Sequence, residues 1–126
     1  MSFELDRVRL TIGERNLLSK LKSRTGIDNW NIFARWAFCY SIGKNSEINL
    51  NEEDGEYGVE MSWVVFSGKN YKLYQDLLIQ ECERLKLKPS KTNLNKVLRS
   101  HLRNGTKQIF TQTKSLDDLF ELTNVA

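Results

Sequence analysis

His101 is the single histidine of this chain, and Cys39 and Cys82 are its only cysteines, so the inventory for proton transfer, thiol chemistry or metal binding is short. His101 lies amid Lys96, Arg99 and Arg103. A phosphate contact or a helix-face position suits it better there than the role of general base, and the neighbouring cations disfavour its charged form. The two cysteines stand alone within predicted helices, without CxxC spacing, and both read as core thiols. Glu52, Glu53 and Asp54, with Glu56 close by, are the one carboxylate cluster that could hold a hard cation and through it cleave nucleic acid. The D-x-[DN]-x-[DN]-G calcium-loop pattern is missing, as are G-x-S-x-G and G-x-x-x-x-G-K. A solvated acidic loop is therefore the simpler reading, and no catalytic residue, metal or cofactor is expected.

Binding chemistry is better represented. From Arg84 to Lys114 run nine bases (Arg84, Lys86, Lys88, Lys91, Lys96, Arg99, Arg103, Lys107, Lys114) with no acid between them. In a helix Lys96, Arg99 and Arg103 fall on one face, beside an apolar stripe of Leu94, Val97, Leu98 and Leu102. A second set, Arg7, Arg9, Arg15, Lys20, Lys22, Arg24, Arg35 and Lys44, is interrupted only by Glu14 and Asp28. Between Glu47 and Glu60 the pattern inverts to six acids and no base, leaving the other ten of the 16 acids to face all 19 bases. The net charge of +3 thus conceals a segregation that points to a polyanionic partner. Ser19, Ser23 and Thr25 interleave with the first set as phosphate hydrogen-bond donors. Aromatic residues do not interleave with the basic segments, which favours a duplex backbone over single strands. Arg7, Arg9, Lys20, Lys22, Arg24, Lys91, Lys96, Arg99, Arg103 and Lys107 are the candidate DNA contacts.

These residues need elements to position them. Leu5 to Leu10 alternate, with Val8 and Leu10 facing inward, as in a short strand or extended arm. Thr11 and Glu14 form a T-x-x-E capping box for a helix from Ile12 to Arg24, which Gly26 ends. Asp28 is the expected N-cap of a second helix, apolar nearly all round, running to Gly43 and central to the core or to a subunit interface. Residues 44–60 read as a polar, acidic loop or flap, and Met61 to Phe66 as a β-strand bounded by Ser67-Gly68. Helix three covers Asn70 to Leu87 and stops before Pro89. Ser90 caps helix four, expected to close at Gly105, and a short last helix begins at Ser115 with Asp118 as its box partner.

The 126 residues suit one domain with a real core, 1–126, whose C-terminal half, 70–126, is helical and basic. The fold class is mainly α, a compact helical domain of four to five helices with one or two short β-strands. No apolar run approaches the ~20 residues a membrane span requires, and no secretory signal pattern opens the chain, so a cytoplasmic location is expected.

Arg7-Val8-Arg9-Leu10, then Leu17-Leu18-x-x-Leu21-Lys22-x-Arg24-Thr25-Gly26-Ile27, then Asn31-Ile32-x-x-Arg35-x-Ala37 with Ser41-Ile42, resembles the DndE family of DNA sulfur-modification (phosphorothioation) proteins. Glu47-Ile48-Asn49 and Gly55-Glu56 look like that family's polar loop. The resemblance covers the first sixty residues, and beyond them only length and basic character. It implies a small subunit without catalytic residues, a homo-oligomer and specifically a tetramer, that binds double-stranded DNA, nicked DNA in preference, beside the other subunits of the system. It also implies a ribbon-helix-helix-like N-terminal part, and phosphate contacts at Lys22 and Arg24 with Lys20 as neighbour. Two other functions stay open on the residues alone: an oligomeric scaffold that docks acidic protein partners, and a metal-dependent nicking nuclease built on the acidic loop.

Overall fold

The computed structural model describes Leu5 and residues 7–44, 47–50 and 55–113. Strand β1 (Arg7–Thr11) leads directly into helix α1 (Ile12–Thr25), and the switch is made by Thr11. Its hydroxyl accepts from Glu14 N (3.1 Å), while the Glu14 carboxylate accepts from Thr11 N (3.2 Å), the reciprocal box the sequence predicts. Gly26, at φ 77°, closes α1 in the left-handed conformation that glycine adopts without strain.

Helix α2 (Trp30–Gly43) starts one residue later than expected, with Asn29 as N-cap in place of Asp28 and no side-chain cap bond. Phe33, Ala34, Ala37 and Phe38 are fully buried, so this helix is central to the core. Strand β2 (Tyr57–Ser62) and helix α3 (Trp63–Ser67) replace the strand expected from Met61 to Phe66. The reason is local. Ser62 Oγ accepts from Val65 N (3.1 Å), and Trp63, Phe66 and Ser67 bury at helical spacing while Val64 and Val65 turn outward. Residues 57–60 therefore belong to a strand and not to the loop.

After a single 3₁₀ turn (Gly68–Asn70) come α4 (Tyr71–Arg84) and the long α5 (Lys91–Gln112). Ser90 caps α5 as expected, its Oγ accepting from Asn93 N (3.2 Å). Gly105 does not end α5. It sits within the helix, where a Cβ would lie 1.9 Å from the Ala37 carbonyl oxygen, so this glycine is the point at which α2 and α5 cross in contact. Leu94, Val97, Leu98 and Leu102 bury as the stripe predicts, and α5 packs on α1, α2 and α4. The helix proposed from Ser115, and Lys114 itself, lie outside the described residues.

β1 pairs antiparallel with β2 of the same chain, Val8 opposite Met61, Arg9 opposite Glu60 and Leu10 opposite Val59. The strand–helix–helix order of a ribbon-helix-helix is present, with the ribbon partner supplied within the chain. The register slips after Leu10, and Thr11 faces Tyr57, which leaves Gly58 as the extra residue of a bulge. A Cβ at Gly58 would stand 2.9 Å from Ile12 Cγ1. Since alternate strand residues face opposite ways, the bulge moves Tyr57 from the buried face of Val59 and Met61 to the outer face of Arg9 and Glu60.

Candidate nucleic-acid interface

The outer face of the ribbon and the first half of α5 form the two walls of a basic trough. Arg7, Arg9 and Tyr57 on one wall face Lys91, Asn95 and Arg99 on the other across a groove of about 370 Å³. It continues into a second groove of about 450 Å³, which adds Leu50, Thr92, Lys96, Ser100 and Arg103 and shares Tyr57, Asn95 and Arg99. Six of the ten predicted contacts, two from β1 and four from α5, are thereby brought to one surface. The exposed Glu60 carboxylate takes both Arg7 (3.3 Å) and Arg9 (3.0 Å). Burial raises its pKa, but the hydrogen bonds from Arg9 and Arg7 outweigh this and hold it below the usual carboxylate value.

Arg99 has a second occupation. Its guanidinium grips the Glu14 carboxylate with both terminal nitrogens (2.9 and 2.7 Å) and donates to the Arg9 carbonyl, with both side chains almost out of solvent. Arg103 is buried as well, with Asn49 O at 3.4 Å. Of the helical ridge expected from Lys96, Arg99 and Arg103, only Lys96 is exposed, Arg99 being half-buried and Arg103 buried.

The remaining candidates lie toward the far end of the α1–α5 pair. Glu14 meets Arg99 and Arg24 meets Phe110 and Thr113, so the two helices run parallel, and ten residues separate the meeting points by about 15 Å. Arg24 donates to the Phe110 (3.5 Å) and Thr113 (3.3 Å) carbonyls and lies 4.4 Å from the Phe110 ring centroid, so it caps the negative end of α5. Lys20 approaches the same ring (5.7 Å), Lys107 is exposed and Lys22 is half-buried on α1.

A family model described as DNA sulphur modification protein DndE matches residues 7–117. The chain belongs to the DndE family. Membership carries a role in DNA sulfur modification and, with it, other subunits of such a system. A search of curated proteins found no match. No helix among the described residues is long and apolar enough to cross a membrane.

Within this DndE-family chain His101 is not a surface residue. It is fully buried, with Nε2 on Glu81 Oε2 and Nδ1 on Ser41 Oγ (2.7 Å). Glu81 also holds Arg84 at Nε and at Nη2 (2.9 Å), and Ser41 accepts from Asn104 Nδ2 (2.8 Å). Serine, histidine and glutamate in line resemble a hydrolase triad, yet Ser41 and His101 have no exposed surface for a substrate to reach. Burial pushes the His101 pKa down, against the pull of Glu81 upward. Cys82 is a core thiol as expected, whereas Cys39 is exposed, its Sγ 3.9 Å from the Tyr74 hydroxyl. Among the described residues no three of His, Cys, Asp and Glu cluster as metal ligands; Glu52, Glu53 and Asp54 lie outside them. Sequence reasoning missed Tyr57, whose position in the trough depends on the Gly58 bulge, although Gly58 was the signal that could have revealed it.

Proposed function

We propose that this chain is a non-catalytic subunit that binds duplex DNA, nicked duplex included, through its phosphate backbone for DNA phosphorothioation. The observation that carries this reading is the convergence of Arg7, Arg9, Lys91, Lys96, Arg99 and Arg103 on one trough, where Glu60 pairs with Arg7 and Arg9 and Glu14 with Arg99. A phosphate arriving at Arg7 and Arg9 replaces an exposed carboxylate that is itself solvated, so the exchange costs little, and Lys91 and Lys96 supply charge from the opposite wall. Binding of this kind releases counterions and is mostly indifferent to sequence. A duplex titrated between about 50 and 200 mM salt is expected to lose affinity by orders of magnitude; an affinity independent of salt removes the reading. The chain acts as a homo-oligomer, a tetramer, beside other subunits of the system, a reading supported by Val64, Val65 and Leu73, which leave apolar surface exposed on α3 and α4. Sedimentation of the purified protein as a monomer would remove that part alone.

A further inference from the structure

Tyr57 lines both grooves of the trough and a third one on the ribbon with Arg9, Gly58, Val59 and Glu60, so it stands where the three meet. The residue is 43% exposed, large for an aromatic residue on a folded domain. Two guanidinium groups lie over the ring, Arg9 at 5.4 Å and Arg99 at 5.7 Å from its centroid. The two are held differently. Arg99 is locked by Glu14 with a side chain only 11% exposed, whereas Arg9 is 49% exposed and tied to Glu60.

We propose that Tyr57 is a stacking platform for one unpaired nucleobase, with Arg9 beside it to take the neighbouring phosphate and Arg99 holding the ring in place. The inference rests on the DNA-binding reading and adds to it a preference for duplexes carrying an unstacked nucleotide. A ring carried on a hydrogen-bonded ribbon and exposed between cations offers a base a π-face. The base enters by displacing the exposed Arg9, and that guanidinium swings from ring and Glu60 to the neighbouring phosphate, where a bidentate contact is available. Arg99 stays in place and keeps the other side of the ring oriented. A fully paired duplex presents no free base face, so it binds through the basic walls alone.

The test uses the whole chain and two probes, an intact duplex and the same duplex with one bulged 2-aminopurine. The expected result is tighter binding of the bulged duplex, by about 5- to 100-fold, with the 2-aminopurine fluorescence quenched in the complex. Tyr57→Leu abolishes the preference and the quenching, read as the ratio of the two affinities within each protein, and Tyr57→Phe retains both. Equal binding of the two probes by the unmodified chain, or a preference that survives Tyr57→Leu, overturns the platform and leaves duplex binding standing. Binding of neither probe overturns both.

Discussion

At the scale of single residues, bases of the same type have different duties. Arg99 holds Glu14 in a bidentate pair whose members are 11% and 7% exposed, and removing it leaves a carboxylate buried beside the start of α1. Arg99→Ala is therefore expected to destabilise the fold by about 3 kcal/mol, as loss of one partner from a buried pair does. Lys96, exposed on the same helix, has no such duty, and Lys96→Ala should alter stability by no more than about 0.5 kcal/mol. Chemical denaturation of both variants checks this, and similar losses from the two would contradict the division of roles. Charge and helical spacing place Arg99 beside Lys96 in the sequence. The carboxylate that claims it is 85 residues away, at a position legible only as a cap.

At the scale of elements, the network of Ser41, Glu81 and His101 ties α2, α4 and α5 together. A neutral His101 suits it. Nε2 donates to Glu81, Nδ1 accepts the Ser41 hydroxyl, and Ser41 accepts from Asn104. Protonation would put donors on both ring nitrogens and leave the Ser41 hydroxyl facing two donors. Because the folded pKa of His101 lies below 6.5, the unfolded chain binds more protons just under that value. Stability is thus complete above pH 6.5 and falls as the pH drops below it, at up to about 1.4 kcal/mol per unit. Glu81, kept low by Arg84 and His101 against the upward effect of burial, adds a loss of the same sign below 4.5. Thermal denaturation between pH 7.5 and 5 is expected to show the decline, and His101→Gln to remove it; an unchanged decline in that variant would show another group responsible. Capping residues made α1 and α5 readable in advance, since Thr11, Gly26 and Ser90 act through local hydrogen bonds. Gly105 and the Met61–Phe66 run misled for the converse reason: a glycine that admits a neighbouring helix looks like a terminator, and a serine that caps α3 sits inside a β-like run.

At the scale of the whole molecule, charge segregation, a mainly helical fold and the family were all legible, because composition and the motif from Leu17 to Ile27 carry them. The surface on which the bases meet was not. It depends on β1 pairing with β2 some fifty residues onward and on α5 lying beside that ribbon, which no local pattern encodes. The two basic sets do not merge into one uniform face. The trough joins β1 to the start of α5, while Lys20 and Arg24 serve the end of α5. The most direct measurement is the salt dependence of duplex affinity for the unmodified chain and for Lys96→Ala. Phosphate binding in the trough predicts a linear fall of log K with log salt, and a slope shallower by about one in the variant. A slope left unchanged by Lys96→Ala, with stability intact, would contradict the placement of DNA in the trough.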